Sequence, residues 1–354
     1  MGDNPTMMKE ILIAPEGPSA PFKVSDLPII AKLCRAAHHQ YRKKWSKRLA
    51  KRPTRMAYDV ARDVLKIGGQ GRMHLGHDRT ALFDARKPHF GSIYFGNEAA
   101  GYEPDVSALL SSLLKGDQTF CDIGSNWGYF TFYAASLKDF TGPIHAFEPV
   151  PATRSDIIGL RDGFGLQDRI TVHATALSSE AGSVEMAVHD SETGLNRIAG
   201  SGVGREGVGR EIVKMSRFDD LGIKPDVIKM DVEDHEFEAL SGMVKILATA
   251  KPFIIVESWL TPIQPLRTLR ALQLLEQHHY DLYQPCWRIN TPDGAVIFPD
   301  IGDRTPSKDC QLALVPFQSD QRFMLSQQMN VFACPKGREE NLKKLGFETW
   351  ALGS

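Results

Sequence analysis

The segment TFCDIGSNWGYFTFYAA, residues 119–135, decides the fold of this 354-residue chain. Its apolar start predicts a buried strand, its glycines predict a tight turn, and the apolar spacing that follows predicts a helix. Gly124 and Gly128 allow the backbone to pass close to a ligand, and Asp122 can orient loop amides or meet an ammonium group. The dinucleotide fingerprint requires a glycine where Asn126 stands, so the segment favours an amino-acid-bearing nucleotide over NAD or FAD.

Short apolar strand candidates alternate with helical stretches on the C-terminal side of this segment. This alternation predicts an α/β fold with a mainly parallel sheet covered on both faces. VEMAVH and EIVKM are strand-like on either side of a glycine-dense loop at 200–209, QMNVFACP is a candidate final strand, and a polar insertion is expected from Trp287 to Asp320. The strand candidates are Phe120 to Ile123, Ile144 to Phe147, Ile170 to Ala174, Val227 to Val232 and Phe253 to Val256.

An acidic residue follows at the distance expected for a nucleotide site. Glu148 ends the second strand candidate, 20 residues after Gly128, where a carboxylate can accept hydrogen bonds from both ribose hydroxyls. In the alternative interpretation, Asp122 and Glu148 cap helices and Gly124 only turns the chain.

The run DVEDHE, residues 231–236, follows the buried strand VIKM at the sheet edge where open α/β proteins bind ligands. His235 titrates near neutrality and is the candidate general base, with helix capping as its alternative role. By strand alternation Asp231 and Glu233 point the same way, and Glu257 at the end of the next strand can join them. Such oxygens can hold Mg²⁺ or Ca²⁺, but a metal is not favoured because hydroxyl binding and helix starts account for the same residues.

Three further residues follow strand ends and could contact an acceptor. Trp259, Trp287 and Arg288 could stack on it or grip it, and core or rim packing is the alternative. His74, His77 and His89 in the first hundred residues have no companion ligand motif, so we expect ordinary polar structure there.

Three motifs together resemble those of the FkbM family of methyltransferases. DIGSNWGYF is similar to the family's Asp-x-Gly-Ala-Asn-x-Gly, AFEPVP to its Phe-Glu-Pro, and VIKMDVEDHEFEAL to its Lys-x-Asp-Val-Glu-Gly-His-Glu, in the same order over roughly residues 100 to 260. Asp234 stands where the family has glycine, and Asp tolerates a left-handed backbone better than most residues.

This resemblance implies a Rossmann-like class I methyltransferase with a mostly parallel central sheet flanked by helices. The implied donor is S-adenosylmethionine, and the implied reaction is O-methylation of a sugar, glycan or secondary metabolite. From their own chemistry, the candidate catalytic residues remain His235, Asp231 and Glu233, and Glu257 could bind a sugar hydroxyl directly. The implied donor contacts are Asp122, Gly124, Ser125, Asn126 and Gly128 at the methionine end, Glu148 at the ribose, Ala176 and Leu177 by the adenine, and Glu103 nearby.

Length and composition indicate two units in a conventional chain. We expect an accessory segment at 1–100, with a basic amphipathic helix from Asp26 to Arg55, a second helix and short strands. A methyltransferase domain at 101–340 and a tail at 341–354 follow. Hydrophobic residues make up 42% of the chain, and 42 Lys+Arg balance 43 Asp+Glu. The net charge therefore does not indicate a charged partner.

The basic helix could bind an anionic surface or a lipid-linked substrate, and a solvated face is the alternative. Five scattered cysteines, no apolar signal core and no span of about 20 apolar residues predict a cytoplasmic protein, or one peripheral to the inner membrane face.

Two other functions fit parts of the pattern. They are a nicotinamide-dependent oxidoreductase and a non-catalytic protein that binds a nucleotide or an anionic surface. Nucleic acid is not an expected partner, because the Asn/Asp-Pro-Pro-aromatic motif of amino-group methylation is absent and basic charge is confined to one helix.

Overall fold

The computed structural model describes most of the chain from residue 102 onward and parts of the first hundred residues. The described residues are 10–16, 22–27, 32, 60, 69–76, 78–85, 87–90, 102–188, 197–198, 209–260, 265–299, 310–326 and 328–350. The basic helix predicted from Asp26 to Arg55 lies almost entirely outside them, as do the second helix apart from residue 60 and the glycine-dense loop apart from Gly209.

Strands and helices alternate through the central part of the chain. The strands are β1 Ile11–Ile13, β2 Phe22–Ser25, β3 Gln70–Leu75, β4 Arg79–Asp84, β5 Phe120–Ile123, β6 Ile144–Phe147, β7 Ile170–His173, β8 Ala176–Leu177, β9 Gly182–Val188, β10 Arg197–Ile198, β11 Gly209–Ser216, β12 Val227–Met230, β13 Phe253–Trp259, β14 Tyr280–Thr291, β15 Gly294–Phe298, β16 Cys310–Phe317, β17 Gln328–Pro335 and β18 Glu348–Trp350. The helices are α1 Pro104–Leu113, α2 Tyr129–Ser136, α3 Pro151–Phe164, α4 Glu236–Ser241, α5 Val244–Thr249, α6 Pro265–Gln277 and α7 Glu339–Lys344.

A large mixed sheet organises the molecule. Its order is β18-β1-β16-β14-β17-β13-β12-β5-β6-β7, and β15 pairs with β14. The five strands from β13 to β7 are parallel and follow the doubly wound order 3-2-1-4-5 when numbered along the chain. The prediction of a mostly parallel sheet holds for this half, whereas β17, β14, β16, β1 and β18 pair antiparallel with their neighbours.

The core lies on both faces of the parallel half. β5 and β12 are buried along their whole length, and the alternation of side chains divides them between two clusters. Phe120 and Val227 pack with residues of α1 and α2. Cys121 and Ile228 pack with residues of α4, α5 and α6 on the other face. The sheet is therefore covered by helices on both sides, as the sequence predicts.

Two predicted features of the C-terminal third need correction. The expected polar insertion from Trp287 to Asp320 contains the end of β14, β15 and the buried strand β16, with 300–309 outside the described residues. QMNVFACP is a strand, β17, but it inserts between β13 and β14 and β18 follows it. Both errors arise because antiparallel pairing with distant strands buries segments that look polar or terminal in the sequence.

The N-terminal residues are joined to the rest of the fold. β1 pairs with β16 and β18 in the large sheet. β2, β3 and β4 form a three-stranded antiparallel sheet, and β4 contacts α3. VEMAVH and EIVKM pair as β9 and β11 in a four-stranded sheet with β8 and β10, as their alternation predicts. Among the described residues no helix is both long and apolar enough to cross a bilayer.

Candidate active site

A pocket of about 440 Å³ opens at the carboxyl ends of β5, β6, β12 and β13. In a doubly wound sheet this edge is where ligands bind, because the strand order reverses there and leaves a crevice. Its wall includes Gly124, Ser125, Asn126, Glu148, Ala176, Leu177, Asp231, Glu233, His235, Glu257 and Trp259. The structure therefore brings into one pocket most of the predicted donor residues and the predicted chemistry-bearing residues.

Glu148 is the acid at the end of the pocket where the sequence predicts a nucleotide. It follows β6, is 6% exposed, and accepts hydrogen bonds of 2.9 Å from the backbone N–H groups of Asn126 and Val150, one on each carboxylate oxygen. Burial raises the pKa of Glu148 to about 7, although the two amides lower it in part. The Thr153 side chain supplies a third hydrogen bond, which leaves one lone pair of the carboxylate for a ribose hydroxyl.

Asp122, by contrast, does not reach the pocket wall. It is 1% exposed and accepts a hydrogen bond of 2.6 Å from Thr131 Oγ1 in α2. Burial raises its pKa, and Lys229 lowers it in part. The expected contact of Asp122 with a ligand ammonium is therefore absent from this geometry, because the side chain ties the strand end to the following helix.

The two glycines of the turn are required by the protein's own backbone and side chains. A Cβ on Gly124 would lie 1.7 Å from the carbonyl oxygen of Asp231, and one on Gly128 would lie 2.9 Å from the ring of Phe132. Both residues have positive φ, 75° and 93°. Gly128 is not among the described residues that line the pocket. The sequence analysis identified the correct glycines. A side chain at 124 or 128 would, however, collide with the protein's own Asp231 carbonyl or Phe132 ring and not with a ligand.

Three carboxylates converge at the other end of the pocket. One oxygen each from Asp231, Glu233 and Glu257 lies within 4.8 Å of the others. Strand alternation predicts this convergence, but β12 ends at Met230 and Glu233 has φ 50°, so a turn brings the side chains together. The spacing of these oxygens could accommodate a divalent cation, and the same oxygens can accept hydrogen bonds from substrate hydroxyls.

A buried lysine that the sequence analysis did not single out lies beside these carboxylates. Lys229 is 3% exposed, and its Nζ is 3.0 Å from Oδ2 of Asp231. Burial lowers its pKa, but the charges of Asp231, Glu103 and Asp122 outweigh burial and raise the pKa well above the ordinary value. The alternating position of Lys229 in the apolar strand VIKM was the available signal, because a charge inside a buried strand needs a partner.

Burial and crowding change the protonation of the acids. Burial, then the charge of Asp231, raise the pKa of Glu257 to about 10 and of Glu233 to about 9. Burial raises the pKa of Asp231, but Lys229 more than compensates and the net pKa is lowered. Glu103, the N-cap of α1 with φ 41°, lies outside the described pocket wall, and burial raises its pKa to about 7.

His235 lines the same pocket but has different neighbours. It is 8% exposed; Nε2 lies 3.1 Å from Ser178 Oγ and Nδ1 lies 3.5 Å from Glu238 Oε2. Burial lowers the pKa of His235, so the imidazole is neutral at pH 7 and able to accept a proton. It also occupies the N-cap position of α4, without a side-chain cap bond.

The turn before α4 contains two consecutive non-glycine residues in the left-handed region. Glu233 and Asp234 have φ of 50° and 70°. Asp234, which stands where the FkbM motif has glycine, therefore adopts the left-handed conformation that Asp tolerates better than most residues.

The predicted acceptor residues separate into two groups. Glu257 and Trp259 lie on β13 at the pocket, and Trp259 is 41% exposed. Trp287 is buried in the core, and Arg288 hydrogen-bonds to Gln311 and lies over the ring of Trp350. The structure does not bring Trp287 and Arg288 into the described pocket, because both lie on β14, which β17 separates from β13.

The first hundred residues contribute a wall that the sequence did not predict. His89 lines the pocket, and its Nε2 lies 3.0 Å from Oδ2 of Asp156 in α3. Lys87 also pairs with Asp156. Three aromatic residues from beyond the first hundred also line the pocket: Tyr102 and Trp127 each contact the ring of Tyr129. No local motif signals a residue that a distant segment brings to a pocket. His74 hydrogen-bonds with Ser25 instead, and His77 lies outside the described residues.

The strand order and the pocket define a doubly wound α/β protein with a ligand site at the carboxyl edge of its parallel strands. Residues 121–282 match the family model described as the Methyltransferase FkbM domain. The match includes all three sequence motifs and confirms the resemblance that they predict.

Similar proteins include a curated relative and several solved structures. The hexuronic acid methyltransferase AglP of Haloferax volcanii is 29% identical over 158 residues, which cover 44% of this chain and 62% of that protein. The chain therefore spans less than two thirds of the relative's length. The FkbM methyltransferase structure from Methylobacillus flagellatus is 19% identical with a TM-score of 0.36, covering 58% of this chain and 47% of that one. The SAM-dependent O-methyltransferase structure from Thermotoga maritima is 15% identical with a TM-score of 0.33, covering 61% and 66%.

Proposed function

We propose that this protein is an S-adenosylmethionine-dependent O-methyltransferase that acts on a hydroxyl group of a sugar, glycan or secondary metabolite. The observation that carries the proposal is the single pocket that joins Glu148 and the Ala176–Leu177 loop to the carboxylates of Asp231, Glu233 and Glu257. The FkbM domain and the name of the curated relative support the same class of reaction.

The described residues suit an amino-acid-bearing nucleoside. A pocket of about 440 Å³ lies within the roughly 300–1,000 Å³ of small-molecule sites. Glu148 presents an oriented carboxylate for a ribose hydroxyl, and Ala176 and Leu177 offer a largely apolar wall for a base. S-adenosylmethionine, when bound, supplies an electrophilic methyl group on a positively charged sulfur.

The chain's own residues then hold the acceptor and remove its proton. Asp231 and Glu257 are placed to bind hydroxyl groups of the acceptor at one end of the pocket, which fixes the reacting oxygen in line with the methyl group. With the donor bound, the acceptor oxygen would gain the methyl group as the donor leaves as a neutral thioether, and the hydroxyl proton would pass to a base of this chain. Neutral His235 is the proposed base, and Glu238 beside Nδ1 can stabilise the imidazolium that forms.

A donor-dependent screen tests this function. Purified protein is incubated with methyl-labelled S-adenosylmethionine and a panel of neutral glycosides, uronates, lipid-linked saccharides and phenolic metabolites, and products are located by mass spectrometry. Calorimetric titrations with S-adenosylhomocysteine and with NAD⁺ run in parallel. We expect binding of the first nucleotide and not the second, with methyl transfer to at least one hydroxyl. Binding of NAD⁺ alone would refute the proposal and favour the oxidoreductase alternative.

The remaining expectations about partners stay proposals. Attachment of an anionic surface or a lipid-linked substrate to the basic segment at 26–55 would bring a membrane-bound acceptor to the enzyme, in the cytoplasm or at the inner membrane face. Vesicle co-sedimentation with and without anionic lipid checks this attachment. No metal is part of the proposed reaction.

A further inference from the structure

The acceptor end of the pocket is rich in acids and poor in bases. Asp231, Glu233 and Glu257 meet there, with oxygens within 4.8 Å of each other. Among the described residues that line the pocket there is no arginine, and Lys229 is the one lysine. An anionic ligand normally binds where arginine, lysine or backbone amides point at it.

Lys229 is already committed to the protein's own carboxylates. Its side chain is 3% exposed, and Nζ lies 3.0 Å from Oδ2 of Asp231. The charges of Glu103 and Asp122 also act on it. One buried cation shared by several acids has no capacity to balance a further negative charge.

The protonation of the cluster points the same way. Asp231 remains ionised because of Lys229, while Glu233 and Glu257, whose pKa values are raised to about 9 and about 10 by burial and by Asp231, hold protons at neutral pH. The ionised Asp231 is thus paired with Lys229, and no arginine or second lysine lines the described pocket wall. A carboxylate or phosphate placed here would add an uncompensated charge, whereas hydroxyl groups can donate to Asp231 and accept from the protonated acids.

An exposed aromatic side chain borders the cluster. Trp259 is 41% exposed and follows Glu257 by two positions on β13, so both side chains leave the same face of the strand. Gln328 stands opposite Trp259 in the sheet register and donates a hydrogen bond of 2.5 Å to Glu257. A flat apolar surface beside hydroxyl-binding groups suits a ring with an apolar face and a polar edge.

We infer that the acceptor is an uncharged polyhydroxy ring, such as a neutral glycoside, without a carboxylate or phosphate group next to the methylated hydroxyl. This inference rests on the proposed methyl transfer and narrows its substrate class. It also separates the chain from its curated relative, whose name specifies a hexuronic acid.

Matched acceptors test the inference. Methyl glucoside and methyl galactoside are compared with the corresponding uronates, which differ only in CH₂OH against COO⁻ at C6, and initial rates give kcat/KM with S-adenosylmethionine saturating. We expect kcat/KM for the neutral sugar to exceed that for the uronate about 10-fold or more. A ratio of about 10-fold corresponds to a modest free-energy cost for one unbalanced charge. Higher ionic strength should reduce the ratio of kcat/KM for the neutral sugar to kcat/KM for the uronate. Equal or greater kcat/KM for the uronate would overturn the inference.

Charge-gain variants at the exposed position 328 supply the second test. Gln328→Lys should shift the ratio of uronate to neutral kcat/KM upward by about 3-fold or more, whereas Gln328→Met should leave it unchanged. Gln167→Lys, an exposed position outside the described pocket wall, controls for net charge. The same shift in all three variants would overturn the inference, because the effect would not arise at the acceptor site.

The two levels of the proposal fail in different ways. Absence of methyl transfer to every acceptor, together with no binding of S-adenosylhomocysteine, would refute the methyltransferase function. Methyl transfer with a uronate preferred would refute the substrate class alone. Assays with EDTA and with added Mg²⁺ complete the design: the neutral preference should persist in both, and a uronate preference that needs Mg²⁺ would show that the carboxylates bind a metal and would overturn the inference.

Discussion

The ammonium group of Lys229 lies 3.0 Å from the carboxylate of Asp231, at the point where the central strand β12 ends and the pocket begins. The pair joins the interior of the sheet to the proposed acceptor site. Its position explains why an otherwise apolar strand contains a lysine, and why Asp231 stays ionised among crowded acids.

Removing the lysine should destabilise the fold strongly. Lys229→Met leaves buried carboxylates without their cation, so we expect the free energy of unfolding to fall by about 3–5 kcal/mol in urea denaturation. The double variant Lys229→Met/Asp231→Asn should be more stable than the sum of the single effects predicts, by about 1 kcal/mol or more. Lys245→Met at an exposed position should change stability by less than about 0.5 kcal/mol. Strict additivity of the two pocket substitutions would show that the pair is not coupled.

Alanine substitutions at two glycines, one in the turn after β5 and one in α3, form a matched test of that turn. Gly124→Ala places a Cβ 1.7 Å from the Asp231 carbonyl oxygen at φ 75°, so strain and overpacking should cost about 2–5 kcal/mol and abolish donor binding. Gly159→Ala in α3 meets nothing within 4 Å and should stabilise the protein by about 0.5–1 kcal/mol. Thermal unfolding measures both. A tolerated alanine at 124 would contradict the described approach of the two strand ends.

Donor affinity should depend on pH through Glu148. Because burial raises the pKa of Glu148 to about 7, the carboxylate proposed to accept a ribose hydroxyl is mostly protonated at pH 6 and mostly ionised at pH 8. The dissociation constant of S-adenosylhomocysteine should therefore fall by up to about 10-fold from pH 6 to pH 8. Glu148→Gln should bind weakly at both values, and exposed Glu180→Gln should retain the pH dependence.

The same group links pH to the stability of the free protein. The folded state keeps the Glu148 proton up to about pH 7, whereas the unfolded chain releases it near 4.5. This contribution is fully present below pH 4.5 and is lost as pH rises through 7, because the folded state binds more protons in that window. Glu148→Gln should remove this part of the pH dependence in chemical denaturation; an unchanged profile would assign it elsewhere.

The proposed base is tested by separating catalysis from donor binding. His235→Ala should lower kcat about 100-fold or more, while the affinity for S-adenosylhomocysteine changes little. Ser178→Ala, which removes the neighbour 3.1 Å from Nε2, should have a smaller effect. Unchanged turnover in His235→Ala would leave His235 with a structural role at the start of α4.

Trp259 is expected to act on the acceptor alone. Trp259→Ala should raise KM for a neutral glycoside by about 5- to 10-fold, because a stacking surface worth about 1 kcal/mol or more is lost, while Trp259→Phe should retain most of the affinity. Donor affinity should be unchanged in both. A rise in KM that is equal for Trp259→Phe and Trp259→Ala would argue against ring stacking.

Local patterns predicted the central part of the fold accurately. β5 and β6 begin and end at the predicted residues, because short apolar runs between turn signals are typical of buried strands at that length. The glycine turn and the acid at 148 were also readable, since turn geometry and strand ends depend on residues close in sequence. Trp287 and Arg288 were mispredicted as pocket residues because they lie within the long strand β14, which β17 separates from β13 in the sheet.

The sequence by itself determined the parallel half of the sheet, the glycine turn after β5 and the titratable side chains that follow β12. Only the tertiary structure decided that the Asp231 carbonyl leaves no room for a side chain at Gly124 and that His89 forms part of the pocket wall. It also decided that β16 is buried and that Lys229 lies among acids whose charge it balances. Local propensity and periodicity act within a few residues, whereas steric contact, burial and charge balance depend on segments that only folding brings together.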